Sequence, residues 1–161
     1  MNVQKVSFIE LSYTNNDDIR ILNAILSSWF SDPKILHFTS PSHQYPFKIS
    51  KWISLSYADQ NISTFCLKLD NWIIGHISMK LNAEEKSAHL FHLIIDEKYR
   101  NKGYAKRLVK HVEQKLIDKE EFKRLSLNCV KKNQPALALY QSLGFSIVKE
   151  KKHIKMVKDL K

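Results

Sequence analysis

The chain has 161 residues, of which 43% are hydrophobic and 26% charged, so a disordered protein is excluded and one compact domain over residues 1–161 is expected. It has no run of about 18 apolar residues that could span a membrane, and residues 1–5 lack the layout of a secretion signal, so we expect a cytoplasmic protein. The net charge of +10 favours polyanionic partners such as nucleic acid or a phosphorylated cofactor, or reflects only a solvated surface.

The first part of the chain predicts one strand followed by two helices. Val6–Leu11 is a short apolar stretch of the kind that forms a strand. Asp17-Asp18 opens a helix, because carboxylates favour a helix N-terminus, and Asp32-Pro33 is expected to end it. After a loop that contains two prolines, Phe47–Tyr57 has apolar residues at helical spacing.

The middle of the chain predicts three strands, over Ile62–Leu69, Trp72–Leu81 and Ala88–Ile95. The turn residues Asp70-Asn71 join the first two as a hairpin. Gly75 inside the second strand indicates a bulge or a close backbone approach. The third strand is apolar except at His89 and His92, which is typical of a central strand that helices cover on both faces.

The last part predicts two helices and three strands, over Gly103–Asp118, Arg124–Val130, Gln134–Leu143, Phe145–Val148 and Ile154–Val157. Asn133 is placed as the N-cap of the second helix, and Gly144 ends it. The order βααβββαβαββ predicts an α/β fold with one mixed central sheet covered by helices. The cysteines Cys66 and Cys129 lack redox or metal spacing and are expected as buried thiols. The histidines show no ligand spacing, so we expect no metal.

The passage from the third strand of the middle region to the next helix has the features of an anion site. Between Asp96 and Ala105 the strand ends, a basic loop follows, and the helix begins at Gly103. The unpaired N–H groups of the loop and of the first turn, together with the helix dipole, favour an anion. Because Gly103 has no Cβ, a phosphate can approach the backbone, so the segment predicts a pyrophosphate site.

Two segments of the chain resemble the GCN5-related N-acetyltransferase (GNAT) superfamily. Arg100-Asn101-Lys102-Gly103-Tyr104-Ala105 matches its acetyl-CoA motif, Gln/Arg-x-x-Gly-x-Gly/Ala. Asn133–Phe145 is similar to the block Asn-x-x-Ala-x-x-x-Tyr-x-x-x-Gly-Phe. The resemblance covers about residues 60–150 and implies the GNAT fold, acetyl-CoA as the acyl donor, and transfer of its acetyl group to an amine.

The resemblance also implies roles for single residues. The main chain of Leu93, Ile94 and Ile95 would pair with the pantetheine arm like an added strand. The backbone of Arg100–Ala105 would hold the pyrophosphate, and Asn133 would bind the cofactor. Tyr140 would protonate the departing thiolate, which suits a phenol with a pKa of about 10. From the residues alone, Asn133 is equally a helix cap and Tyr140 a core aromatic.

His89 is the candidate general base, because family branches place a Glu or His at this position and a histidine suits the role. Strand alternation predicts that it shares a face with Phe91, Leu93 and Ile95, with His92 on the opposite face. A strand histidine without a chemical role is the alternative. Some ribosomal-protein N-terminal acetyltransferases of the family have a glutamate at the position of Asn128, and its absence here argues against that assignment.

The expected reaction is direct attack by a primary amine in a ternary complex, with the strands separating after Ile95 to expose the thioester. The acceptor is a small molecule or a peptide: a peptide N-terminus, a lysine, a polyamine and an aminoglycoside all stay open. The first two helices, the Trp29–Phe47 loop and the last two strands would line its site. A homodimer is also left open.

Two other classes of function are weighed against this one. A domain of the same fold that binds acyl-CoA without catalysis would keep Arg100–Ala105 but lack a working acid and base. A basic nucleic-acid-binding module would need aromatics interleaved with its charges, whereas Trp29, Trp52 and Trp72 lie in apolar runs. We therefore do not expect nucleic acid as a partner.

Overall fold

The computed structural model describes residues 3–160. Its strands are β1 (Val6–Leu11), β2 (Ile62–Leu69), β3 (Trp72–Asn82), β4 (Ser87–Ile95), β5 (Arg124–Val130), β6 (Ser146–Glu150) and β7 (His153–Asp159). Its helices are α1 (Asn16–Trp29), α2 (Pro33–Thr39), α3 (Ile49–Ser56), α4 (Tyr104–Lys119) and α5 (Gln134–Ser142), with a 3₁₀ turn at Glu97–Tyr99. None of the helices within residues 3–160 combines the length and the apolar character needed to cross a membrane.

The structure has one helix more than the sequence predicts, because Asp32-Pro33 separates two helices. α1 ends at Trp29, and α2 begins at Pro33. Asp32 caps α2: its Oδ1 accepts the N–H of Lys34 at 2.9 Å. A proline is well placed in the first turn of a helix, since it has no N–H to leave unpaired there. The Asp-Pro pair therefore begins a helix as well as following one.

The seven strands form one sheet in the order β1-β2-β3-β4-β5-β7-β6. All neighbours are antiparallel except β4 and β5, which are parallel. This is the predicted mixed α/β sheet covered by helices. The pairing of β4 with β5 covers only Ser87–Leu90 against Arg124–Leu127. The two strands therefore separate after Leu90, and the prediction of a separation after Ile95 is wrong.

Helices cover both faces of the sheet. On the face that we call the α4 face, Leu108, Val112 and Leu116 of α4 are buried against apolar side chains of the strands and of α5. On the α3 face, α1, α2 and α3 contribute a second cluster, which includes Leu26 and the fully buried Trp52. The active-site candidates lie where β4 and β5 part between these two layers.

Gly75 on β3 confirms the predicted close approach. A Cβ at this position would come within 2.8 Å of the Ile95 Cδ1 atom and 3.4 Å of the Leu108 Cδ2 atom. The ladder between β2 and β3 also shifts register beside it, between Leu67 and Lys68. Only a residue without a side chain lets β3, β4 and α4 pack this closely.

Candidate active site

A β-bulge interrupts β4 next to the point where it leaves β5. The ladder with β3 is regular up to Phe91 and resumes at Ile94, so His92 and Leu93 lie opposite the single residue Ile77. His92 has a φ of +54°, which is uncommon for a residue other than glycine. A bulge bends its strand and increases the local twist, which explains why β4 turns away from β5.

The bulge also changes which side chains share a face. The predicted alternation is wrong beyond Phe91, because one extra residue reverses it. His89 and His92 both line the same cleft on the α3 face, where the His92 ring stacks on Trp52 with centroids 3.9 Å apart. Leu93 and Ile95 instead pack on the α4 face. His92 is therefore a site residue that strand periodicity assigned to the wrong side.

The end of β4 presents main-chain groups that no strand within residues 3–160 covers. The Asp96 N–H donates to the Ile74 carbonyl at 2.8 Å. By the alternation of an antiparallel ladder, the main chain of Ile94 then faces β3, and that of Leu93 and Ile95 faces the side that β5 has left. The Arg100 Nε donates to the Ile95 carbonyl at 3.1 Å, which fixes the following loop to the strand end. The main-chain groups of Leu93 therefore stay open on this edge.

The loop before α4 fits a phosphorylated ligand. Gly103 has a φ of +85°, and a Cβ added to it would meet no atom within 4 Å. The first backbone bond of the helix runs from the Arg107 N–H to the Gly103 carbonyl at 3.1 Å, and no side chain of the described residues caps this end. The N–H groups of Tyr104, Ala105 and Lys106 thus lack acceptors within the helix. Together with Lys102, they are the groups that the predicted anion site would use.

Asn133 and Tyr140 lie at the two ends of α5. The Asn133 Oδ1 accepts the Ala136 N–H at 3.4 Å, so this residue is the helix N-cap. The half-buried Tyr140 ring packs edge-on against Phe145, with centroids 5.9 Å apart. Burial and, to a smaller extent, the neighbouring Cys129 raise the pKa of Tyr140 above its usual value. Its hydroxyl makes no hydrogen bond with any other part of residues 3–160.

A cleft of about 370 Å³ opens where β4 and β5 part. The residues from β4 are His89 to His92, and those from β5 are Asn128 to Val130. Phe38 to Ser42, at the end of α2 and in the loop after it, and His153 of β7 also line the cleft. These residues come from the segments that were expected to line the acceptor site. Among the described residues that line the cleft, Lys80 is the one lysine or arginine, and none is an aspartate or glutamate.

His89 lines this cleft and lies close to two cations. Its Nδ1 is 2.9 Å from the Ser126 Oγ. Burial lowers the pKa of His89 below its usual value, and the cations Lys155 and Lys80 lower it further. The imidazole is therefore neutral near pH 7. His89 and Lys80 also line a neighbouring pocket that contains the acidic side chains of Glu84 and Glu85.

Both cysteines are buried thiols, as the sequence predicts. Cys129 lines the cleft and contacts the carbonyl of Asn133, with its Sγ 3.9 Å from the oxygen. Burial raises the pKa of the Cys129 thiol to about 11, so it is protonated at neutral pH. Cys66 belongs to the cluster on the α3 face, with a pKa raised by burial to about 12.

A buried hydrogen-bonded network behind the bulge has no counterpart in the sequence analysis. The Trp52 Nε1–H donates to the Tyr13 hydroxyl at 3.0 Å, and that hydroxyl lies 2.8 Å from the His76 Nε2. The His76 Nδ1 lies 2.7 Å from the His92 carbonyl. A carbonyl only accepts, so the Nδ1 carries the proton and the Nε2 accepts from Tyr13. The feature of the sequence that could have indicated this network is His76, a histidine within the largely apolar strand β3.

A second branch of the network reaches the His92 ring. The Tyr57 hydroxyl lies 2.8 Å from the His92 Nδ1 and 2.8 Å from the Ser78 Oγ. The Ser78 hydroxyl is in turn 2.9 Å from the Thr64 Oγ1. All of these side chains are buried. The bulged residue is therefore held through its ring as well as through its carbonyl.

A comparison with protein families identifies the class of protein to which this fold belongs. Residues 23–145 match the model of the acetyltransferase (GNAT) family, so the chain belongs to this family. It is accordingly an acyltransferase that uses acetyl-CoA as its acyl donor. No curated protein sequence matches the chain.

Solved structures share the fold at low sequence identity. An acetyltransferase from Thermus thermophilus is 20% identical with a TM-score of 0.78, covering 99% of this chain and 100% of that one. The spermidine N-acetyltransferase of Vibrio cholerae, solved with CoA and spermine, is 15% identical with a TM-score of 0.73, covering 96% and 95%. The PaiA N-acetyltransferase of Thermoplasma acidophilum, solved with coenzyme A, is 20% identical with a TM-score of 0.72, covering 96% and 99%.

Proposed function

We propose that this protein is an N-acetyltransferase that acetylates a primary amine by direct attack, with both substrates bound at once. The observation that carries the proposal is the separation of β4 from β5 after Leu90. It leaves main-chain groups of β4 without a partner strand at the place where a cleft opens on the α3 face. A donor along β4 and an acceptor in the cleft would therefore meet at one point.

The donor side of the proposal rests on main-chain groups. The open main chain of Leu93 would pair with an amide of the pantetheine arm, as a strand edge does with an extended ligand. The N–H groups from Arg100 to Ala105 would hold the pyrophosphate. Asn133 uses its Oδ1 as a cap and keeps its amide N–H groups for the cofactor. When bound, acetyl-CoA supplies a thioester carbonyl that a neutral amine can attack.

Tyr140 would act as the general acid for the departing thiolate. Its raised pKa keeps the phenol protonated through the neutral range, as an acid requires. The hydroxyl has no partner among the described residues that would compete for it. The protonated thiol of Cys129 is a weak nucleophile, which favours direct attack over an acyl-cysteine intermediate.

His89 would accept the proton of the attacking amine. A lysine amine with a pKa of about 10.4 is roughly one part in a thousand neutral at pH 7.4, whereas an α-amine of pKa about 8 is roughly a fifth neutral. Lys80 and Lys155, which lower the pKa of His89, would also favour the neutral form of an amine bound beside it. The acceptor is a small-molecule or peptide amine, and spermine is a candidate because the Vibrio cholerae enzyme was solved with it.

A screen of amines for thiol release from acetyl-CoA tests the proposal. Peptide N-termini, lysine, polyamines and aminoglycosides would each be compared with a blank without acceptor. A wild-type chain whose melting temperature rises with acetyl-CoA but which releases no thiol with any amine would instead be a non-catalytic acyl-CoA-binding domain.

Two variants of Gly103 test the phosphate site. Gly103→Glu places a negative charge on the N–H groups at the start of α4 and should abolish the rise in melting temperature that acetyl-CoA causes. Gly103→Gln adds a side chain of similar size without the charge and should keep part of the rise. An equal rise in wild type and Gly103→Glu would remove the pyrophosphate from this loop.

A further inference from the structure

The bulge in β4 places a backbone carbonyl where a side chain has to satisfy it. His92 is buried and adopts a left-handed conformation that costs free energy for a residue with a Cβ. His92 lies inside the bulge, where the ladder with β3 pairs neither it nor Leu93. The His76 Nδ1–H is the group that satisfies the His92 carbonyl, at 2.7 Å.

The imidazole ring of His76 is fixed in one orientation. Its side chain is completely buried, and both ring nitrogens are hydrogen-bonded. The Tyr13 hydroxyl donates to its Nε2, and the Trp52 Nε1–H in turn donates to that hydroxyl. These two partners come from the segment before α1 and from α3, so the ring is fixed by elements outside the sheet. The order of donors and acceptors permits only the Nδ1–H tautomer.

We propose that His76 is a positioning residue for acyl transfer: its Nδ1–H holds the His92 carbonyl and so keeps the bulge in the form that turns the main chain of Leu93 toward the open edge. The inference rests on the proposed binding of the acyl donor along Leu93–Ile95. Its physical basis is that a hydrogen bond is directional, whereas apolar packing around the bulge is not. Loss of the bond leaves the carbonyl unsatisfied and the bulge free to shift.

Two amide substitutions at His76 separate its two hydrogen bonds. The amide nitrogen of Asn in His76→Asn lies near the position of the imidazole Nδ1, so this variant keeps a donor for the His92 carbonyl. The longer side chain of His76→Gln places its amide near the position of the Nε2, so this variant keeps the contact with Tyr13 instead. Both replace a buried neutral ring by a buried neutral amide, so each serves as the control of the other.

The main measurement is the dissociation constant of acetyl-CoA at a temperature where each variant is folded. His76→Gln should bind about tenfold more weakly than wild type, the effect of about one lost hydrogen bond. His76→Asn should stay within about threefold. Hydrogen exchange of the peptide that covers residues 90–96 should accelerate in His76→Gln and not in His76→Asn. Equal binding by wild type and His76→Gln, or an equal loss in both variants, would overturn the proposal.

Thr64→Val provides a control for general loss of stability. It removes the hydrogen bond to Ser78 in the other branch of the network and does not touch the His92 carbonyl. It should lower the melting temperature while binding of acetyl-CoA stays within about threefold of wild type. If Thr64→Val weakens binding as much as His76→Gln does, the network has only a structural role and the proposal fails.

A measurement on the wild-type protein decides the matter even if both His76 variants are unfolded. The ¹⁵N shifts of the His76 imidazole report which nitrogen carries the proton, and we expect the Nδ1–H form. A proton on the Nε2 would overturn the proposal, because the Nδ1 would then have none to donate. Neither the dissociation constant of acetyl-CoA nor the ¹⁵N shifts of His76 require an acceptor amine. A failure to acetylate amines would therefore not by itself contradict the role of His76.

Discussion

The two faces of the sheet are stabilised by different interactions. The α4 face is an apolar cluster in which α4 and α5 pack on strand residues such as Leu67, Ile77 and Leu127. The α3 face contains a histidine and hydroxyl network, with Thr64, His76 and Ser78 on the strands beneath α3. Apolar packing fills volume without fixing direction, whereas a hydrogen bond fixes direction. The comparison therefore assigns packing stability to the apolar clusters and positioning of the β4 backbone to the hydrogen-bonded network of the α3 face.

Tyr140→Phe is expected to have the largest effect and is an exception to this comparison of the two faces. Tyr140 packs against the cluster of the α4 face, yet it is the proposed general acid. Losing a general acid costs about 10²–10⁴-fold, or roughly 3–5 kcal/mol of barrier. We expect the loss in kcat, with KM for acetyl-CoA nearly unchanged, since the ring remains. The loss should shrink with an acyl donor whose thiol is more acidic. A kcat within about threefold of wild type together with a lower melting temperature would make Tyr140 a core residue only.

Leu108→Ala tests whether a core residue of the α4 face contributes to stability and not to catalysis. Leu108 is fully buried between α4 and the sheet, next to Gly75. Truncation of a buried leucine costs about 2–5 kcal/mol through lost transfer free energy and the cavity that remains. Denaturant unfolding should show this loss, while kcat per folded molecule stays close to wild type. A fall in kcat at full folding would mean that this face also positions reacting groups.

Acid should destabilise the protein through the α3 face. Burial lowers the pKa of His76 from 6.5 to about 4, so between these values the unfolded chain binds a proton that the folded chain does not. The stability from neutral His76 is complete above pH 6.5 and is lost as the pH falls toward 4, which amounts to about 3 kcal/mol. The pKa values of His43, His89, His92 and His111 are also lowered and act in the same direction.

Unfolding free energies measured from pH 7 to pH 4.5 test the predicted loss of stability as the pH falls. The decrease should be smaller in His76→Asn, because the amide does not titrate in this range. A decrease of the same size in that variant would assign the acid sensitivity to the other groups.

His89→Ala gives the smallest expected effect, about 10²-fold in kcat/KM, at the lower end of the range for an acid or base. The base must be neutral, so activity should fall as the pH drops through the lowered pKa of His89, below 6.5. The variant should flatten or displace this acidic limb. His111→Ala is the matched control, because His111 also has a lowered pKa but stacks on Phe8 away from the cleft. An unchanged profile in His89→Ala would leave His89 structural.

Local patterns in the sequence determined most of the elements and the glycine turn before α4. The predicted bounds of Val6–Leu11 and Arg124–Val130 are those of β1 and β5. The helix that follows Arg100–Asn101–Lys102 begins next to Gly103, which has the left-handed conformation that the proposed anion site would use. These features depend on neighbours along the chain, through side-chain periodicity, capping and the conformational freedom of glycine, so the sequence alone is enough to predict them. These patterns did not predict α2. A proline after a helix usually marks the end of that helix, whereas Pro33 is also the first residue of the next one.

The tertiary structure alone decided where the reactive edge of β4 lies. A bulge is a difference in residue count between two paired strands, so periodicity within β4 could not place it at His92 or reveal that His89 and His92 share a cleft. The parting from β5 occurs after Leu90, next to that bulge. The bonds that hold it join residues far apart in the chain: Tyr13 with His76, and Trp52 with Tyr13. Such contacts exist only once the helices have packed on the sheet, because no local pattern encodes a partner many residues away.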